Sequence, residues 1–241
     1  MIEKTRAIVL RSIKYGESQL IIDFFTESHG RLSFLTRLPK SGKGKVKRQY
    51  FQPLMLLNIE FDYRPQKDLQ RLSDIGLSVP LMGIPFSPLK ISLSLFLAEF
   101  LYYATRAEQH NQALFEFLYH SVLWLDGASG SIANFHIVFL IRLTLFLGVA
   151  PNVEIIGRGR YFDLKEGCYV DKVPLHTYYL SATDSERLLG LLRLRYQTMN
   201  LYPMSRSERN HCVEVIVDYY RLHVPGFPEM KSLPILKGLF D

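Results

Sequence analysis

Six cations and no acid lie between Arg37 and Arg48 in the run Arg37-Leu-Pro-Lys40-Ser-Gly-Lys43-Gly-Lys45-Val-Lys47-Arg48. Lysines at this spacing suit neutralisation of a row of phosphates, a contact that needs charge and reach but no base reading. Pro39, Gly42 and Gly44 interrupt any regular helix or strand, so the run is expected to be a mobile loop. Short charge runs are also ordinary solvated surface, and the run alone does not decide between the two. Arg11, Lys14 and Arg31 are candidates to extend the patch, and Tyr50, beside Lys47 and Arg48, is the candidate base-stacking aromatic.

A second basic group, Arg206, Arg209, Arg221, His223 and Lys231, stands near the C-terminus and suits phosphate or an acidic peptide tail. Arg206 and Arg209 are spaced for one helix face, with ion pairs to Glu208, Glu214 or Asp218 as the competing reading. Arg142 sits within an apolar run, where it either meets a carboxylate or lines a pocket.

The elements that must position these residues change in type along the chain. Residues 5–13, 19–26, 32–38, 53–63 and 69–77 carry strand signals: β-branched content, alternation and intervening turns. Five short strands within 80 residues fit a small barrel of the oligonucleotide-binding type. Beyond Pro80, Gly83 and Pro85 the apolar period becomes helical. Helices are expected at about 87–108, 111–125, 131–147, 183–196, 205–223 and 229–239. Capping boxes are read at Thr183-Asp-Ser-Glu186 and Ser205-Arg-Ser-Glu208. The fold class is therefore α+β in two domains: a five-stranded barrel over 1–80, then a mostly helical domain over 81–241 with an irregular insert at about 152–182.

The charge follows the same division. Residues 1–80 hold 14 Lys or Arg against 8 Asp or Glu, whereas the remainder is balanced, so the barrel carries the whole +6 excess. A basic module joined to a neutral one favours a polyanionic partner. Two cysteines, Cys168 and Cys212, make neither a disulfide framework nor a thiolate zinc site and suit a reducing cytoplasm. The N-terminus has no signal-peptide layout. The apolar stretch 132–149 is broken by Asn134, His136, Arg142 and Thr144, and reads as a core helix rather than a membrane span.

No catalytic motif emerges. Ser41-Gly-Lys-Gly-Lys45 lacks the first glycine and the following helix of a phosphate loop. His-Glu-x-x-His and Gly-x-Ser-x-Gly are absent. Asp62, Asp68 and Asp74 alternate toward solvent rather than clustering around a metal. The reading is a non-catalytic binder without cofactor; an RNA-binding barrel and a nuclease acting on DNA are the alternatives.

Several segments in order resemble one family. Ala7-Ile-Val-Leu-Arg11, Tyr15-Gly-Glu17 and Phe25-Thr-Glu-Ser-His-Gly30 resemble the N-terminal pattern of the RecO recombination mediators. Leu38-Pro-Lys40 through Phe51-Gln-Pro-Leu54 resembles their basic linker and next strand start. Leu147-Gly-Val-Ala-Pro151 resembles the helix end before their insert, and Tyr219-Tyr-Arg-Leu-His223 with Met230-Lys-Ser-Leu233 their C-terminal signature. The resemblance implies an oligonucleotide-binding barrel with a helical domain. It implies binding of single- and double-stranded DNA, strand annealing, and work in the cytoplasm at the nucleoid. It also implies action with RecR to load RecA onto DNA coated by single-strand-binding protein, and contact with that protein's C-terminal tail. Many members carry a zinc-binding cysteine cluster in the insert. Here only Cys168 remains there, so no zinc is expected, and the insert is expected to pack through Tyr161, Phe162, Tyr169, Tyr178 and Tyr179.

Overall fold

The computed structural model describes residues 2–37, 47–153 and 160–238. Two compact units are present: Met1–Ala128 with Met230–Leu239, and Ser129–Glu229. The expected division near residue 80 marks where strands give way to helices; the compact units follow packing instead.

The first unit is built on a closed barrel. Its strands are β1 (Ile2–Tyr15), β2 (Gln19–Thr26), β3 (Gly30–Arg37), β4 (Leu56–Asp62) and β5 (Leu69–Leu77), in the order β1-β2-β3-β5-β4. All pairings are antiparallel except β3 with β5. The long β1 closes the barrel by serving two partners. Its first half pairs with β4, from Ile2 opposite Asp62 to Ile8 opposite Leu56. Its second half pairs with β2, ending with Tyr15 opposite Gln19. The register shifts between Val9 and Arg11. A bulge of this kind bends a strand and raises its twist, as closure of a small barrel requires.

Alternation fills the interior. Ala7, Val9, Leu20, Ile22, Phe24, Phe34, Leu57, Ile59, Phe61 and Ile75 form the core, and Phe51 plugs it from a 3-10 turn at Arg48–Phe51. Phe34 meets Phe24 and Phe61 edge to face at 5.2 and 5.0 Å, a favoured aromatic geometry.

Two helices, α1 (Pro88–Ala104) and α2 (Gln112–Gly127), belong to the same unit. The Ser87 side chain caps α1 by accepting from the Lys90 N–H, with Pro88 in the first turn, as the Ser-Pro start predicts. The helix stops at Ala104 rather than at about 108, and the buried Thr105 hydroxyl donates to Leu101 O. Residues 106–111 instead meet the β2–β3 turn: Arg31 N donates to Glu108 O at 3.3 Å, and His110 Nδ1 lies 2.9 Å from Glu27 O. Gly30 adopts φ +68°, and a Cβ there would sit 2.2 Å from Gln109 O. Only glycine fits that approach.

Arg6 ties the barrel to α2. Its guanidinium binds Glu27 at 2.7 Å and Glu116 at 2.5 Å, and lies over the rings of Phe115 and Tyr119 at 5.1 and 4.8 Å. The hydrogen bond from Arg6 holds the Glu27 carboxyl down to about 2, against the opposing effect of burial. A short terminal helix, α6 (Leu233–Lys237), also joins this unit. It begins later than the expected 229, because the Lys231 and Ser232 N–H groups bond the Glu99 carboxylate.

The second unit holds α3 (Phe135–Phe146), α4 (Ala182–Leu192) and α5 (Arg206–His223). The three-stranded sheet beside them is β6 (Tyr161–Asp163), β7 (Cys168–Val170) and β8 (Tyr179–Leu180), in the order β7-β6-β8. The Ser205–Glu208 capping box opens α5 as read from sequence. The box at 183–186 does not open α4; Ser181 caps it by accepting from Asp184 N. Strand β8 ends at Leu180, and Ser185, three residues into the helix, is buried with its hydroxyl on Leu180 O. The helix must therefore start directly after the strand. Helix α3 begins at 135 rather than 131, and the Asn134 amide donates to Met199 O and Tyr202 O instead of capping it. Of the insert aromatics, Phe162 and Tyr169 enter a small core with Tyr219, while Tyr178 stays exposed. No described helix is long and apolar enough to cross a membrane.

Two predictions follow from the first unit. Gly30→Ala is expected to cost more than about 2 kcal/mol, from left-handed backbone strain plus the clash with Gln109, measured as a shift in urea midpoint. Glu27 ordinarily titrates near 4.5 and is depressed in the fold. Its contribution is therefore present above about pH 4.5 and is lost as pH falls toward 2. Glu27→Gln should destabilise by about 2 kcal/mol at pH 7, the full shift being discounted for partial exposure. The difference should vanish near pH 2 in parallel denaturation curves.

Candidate nucleic-acid interface

The helices cover part of the outer barrel surface and leave part open. On the covered part, Ile8, Leu10 and Phe25 are buried although they alternate away from the core residues, and Phe25 stacks on Phe115 at 6.5 Å. Farther along, the register places outward residues of four strands in rows. Ile13, Ile21, Leu35 and Arg71 make one row across β1, β2, β3 and β5; Tyr15, Gln19 and Arg37 make the next. Tyr15 is 54% exposed and Ile13 37%. The open face is thus an apolar stripe with an accessible aromatic and with arginines at its rim. Such a surface offers stacking area and phosphate contacts together.

Arg37, at the end of β3, is exposed on this face, as is Arg11 on β1. The Arg11 guanidinium lies over the Tyr102 ring at 4.8 Å. Lys14 is exposed on the strand β1 where it reaches the hairpin turn. Arg31 is placed differently. Its side chain is only 13% exposed, lies over Tyr102 at 4.0 Å, donates to Tyr102 O at 2.9 Å and approaches Asp23 at 3.8 Å. It holds barrel to helix and has little surface to offer a ligand. Lys40, Lys43 and Lys45 lie outside the described residues. Lys47 and Arg48 are exposed as the chain re-enters the barrel, and Tyr50 is half-buried against the core.

The C-terminal cations do not make one patch. Arg206 opens α5 and Arg221 nearly closes it, 15 residues apart and so about 22 Å along the axis. Arg221 pairs with Asp218 at 3.6 Å and Glu229 at 3.3 Å. His223 packs on Tyr219 and lies 2.8 Å from Leu164 O. Arg209 is half-buried, donates to Met204 O, and burial lowers its affinity for the proton. Lys231 belongs to the other compact unit. Arg142 is half-buried on α3. In the insert, Asp163 binds His176 at 3.2 Å and accepts from the Lys165 and Glu166 N–H groups. Among the described residues no three His, Cys, Asp or Glu come together to hold a metal.

Sequence alternation alone could not find Ile13, Ile21 and Arg71 as neighbours of Arg37, because rows across strands depend on register. The hairpin turn at Tyr15–Ser18 was the one signal available, since it fixes β1 against β2.

The chain was compared with known proteins. Residues 1–79 match the family model for the recombination protein O N-terminal domain, and residues 85–234 that for the recombination protein O C-terminal domain. A protein of Bacteroides fragilis named DNA repair protein RecO is 47% identical over 242 residues, with both chains covered in full. Proteins of the same name from Phocaeicola vulgatus and Porphyromonas gingivalis are 45% and 36% identical, again over both full chains.

The placement of the two arginines predicts opposite phenotypes. Arg31→Ala should lower stability by about 1–2 kcal/mol through the lost ring and carbonyl contacts. Arg37→Ala should leave the melting temperature unchanged and weaken oligonucleotide binding. Thermal melts and anisotropy titrations on both variants check this.

Proposed function

Because the chain belongs to the recombination protein O family, we propose that it is a non-catalytic DNA-binding recombination mediator acting in DNA repair. It binds single- and double-stranded DNA and anneals complementary strands. With RecR it helps RecA load onto DNA coated by single-strand-binding protein, whose C-terminal tail it contacts, in the cytoplasm at the nucleoid. The observation that carries the DNA-binding part is the open face of β1, β2, β3 and β5, since barrels of this type bind oligonucleotides across strands 2 and 3. A strand crossing this face lies on Tyr15 and the Ile13–Ile21–Leu35 stripe. Its phosphates meet Arg11 and Arg37, and then Lys40, Lys43, Lys45, Lys47 and Arg48 in the following segment, while Lys14, opposite Leu20 of the core, alternates to the other side of β1. Arg31 serves by fixing the barrel on α1. Phosphate contacts and ring stacking carry no base information, so this reading predicts weak sequence preference and steep salt dependence.

The deciding assay is annealing of complementary oligonucleotides, bare and coated by single-strand-binding protein. It compares the wild type with a Lys43→Ala, Lys45→Ala, Lys47→Ala, Arg48→Ala variant. Wild-type annealing that the variant loses by about tenfold or more, with an unchanged melt, supports the reading. Magnesium-dependent cleavage of the labelled strand would replace it with a nuclease, and preference for RNA over matched DNA with an RNA binder.

A further inference from the structure

The β4–β5 loop carries two cations, Arg64 and Lys67, that belong neither to the basic run nor to the open face, and Arg71 of the open face stands near them at the start of β5. Arg64, Lys67 and Arg71 line a groove of about 270 Å³ with Asp62, Leu69, Gln70 and Ser73. All three cations are exposed. The loop is braced from beneath by Gln70, which is 3% exposed. Its Oε1 accepts from Arg64 N at 3.0 Å, and its Nε2 donates to Arg64 O at 2.9 Å and Lys67 O at 2.7 Å. Lys67 N closes the turn on Arg64 O at 3.0 Å. The ligand-facing loop is therefore set before any ligand arrives, which lowers the ordering cost of binding.

One cation is occupied. Arg64 Nε and Nη2 both lie 2.9 Å from Asp62 Oδ2, in a pair with Arg64 56% and Asp62 41% exposed. An exposed pair of this kind is screened and easily broken, and both Arg64 contacts fall on one carboxylate oxygen, whereas the two non-ester oxygens of a phosphodiester can each take one N–H of the guanidinium fork. The parallel register puts Arg71 beside Leu35, two residues from Arg37, so the groove continues the open face.

We propose that the β4–β5 loop is a preformed phosphodiester-binding site in which Asp62 competes with the nucleic-acid backbone for Arg64. The proposal rests on the nucleic-acid reading above and adds to it a contact site with a built-in competitor. Lys67 and Arg71 take phosphate oxygens directly; Arg64 does so once Asp62 is displaced.

The test is fluorescence anisotropy of a labelled 20-nucleotide oligo(dT), titrated at several salt concentrations, on proteins whose melts match. Lys67→Gln with Arg71→Gln should weaken binding about tenfold and flatten the salt slope by roughly 0.7 for each lost contact. Asp62→Asn should tighten binding several-fold and steepen the slope by roughly 0.7, since Arg64 is freed for one more phosphate. Asp68→Asn removes the same charge from the same loop without freeing Arg64 and should give a smaller gain. Adding Arg64→Gln to Asp62→Asn should erase the gain. If Asp68→Asn matches Asp62→Asn, or if the gain survives loss of Arg64, the effect is net charge alone and the competitor role is overturned. If the wild type binds and the Lys67, Arg71 variant binds equally, the site itself is overturned. A wild type that binds no oligo(dT) at low salt overturns the nucleic-acid reading and this proposal with it.

Discussion

Everything in the barrel unit depends on β1 being shared. One strand of 14 residues pairs with β4 through its first half and β2 through its second. The β4 pairing ends at Ile8 and the β2 pairing runs from Ala7 to Tyr15, so the bulge between Val9 and Arg11 lies just past the stretch shared by both, and there Val9 N bonds Met55 O while Leu54 N bonds Val9 O. A strand with period two shows opposite faces at successive residues, so one extra residue reverses which side a side chain takes. Before the bulge, Ala7 and Val9 point into the core; Ile8 and Leu10 are buried outside it. After it, Arg11, Ile13 and Tyr15 are the outward set and are exposed. The bulge thus separates the segment Ala7–Leu10, buried on both sides, from Arg11–Tyr15, which is exposed.

What covers the first half is electrostatic as well as apolar. Arg6 reaches two carboxylates and two rings at once, from a position where Glu27 and Glu116 both come from elements that must dock. A guanidinium suits this because its planar fork binds carboxylates while its face stacks on rings; a lysine would keep the charge and lose both geometries. The same use of arginine recurs with Arg31 over Tyr102. Basic residues in this unit therefore divide into two kinds. Arg6 and Arg31, committed to the helix contact, are half-buried and partnered; those beyond the bulge and at the loops are exposed, even where, like Arg11 over Tyr102 or Arg64 on Asp62, they keep a partner. The +6 excess of the chain sits in residues 1–80, but only the second kind offers it to a polyanion.

The barrel was legible because its residues obey period two, and five alternating runs separated by turns leave few other folds. The sequence pattern places a strand at 69–77, and β5 spans Leu69–Leu77. Helix starts were legible where one polar residue had no competing use. Ser87 and Ser205 cap as their spacing predicts. Where a polar residue serves tertiary structure, local signals misled. Asn134 spends its amide on two distant carbonyls, Ser185 is drawn back to Leu180 O, and Glu99 takes the N–H groups that would have begun α6 earlier. In each, a hydrogen bond to another element decides where the helix begins, and a local pattern holds no record of it.

The candidate interface was legible in composition and not in geometry. Counting cations finds Arg31 and Arg37 equally attractive, since both are outward alternates of β3. They differ because Arg31 lies toward the β2–β3 turn that docks on residues 106–111, whereas Arg37 lies at the free end of the strand. That distinction needs to be known from α1, more than 60 residues away in sequence. The same holds for Arg71, which reaches the face only through the parallel β3–β5 pairing. A parallel neighbour is joined by a long connection and leaves no local trace. The physical unit of recognition here is a row across strands. Its members are set by closure of the barrel, and the sequence order of the cations is a poor guide to which of them a single ligand meets.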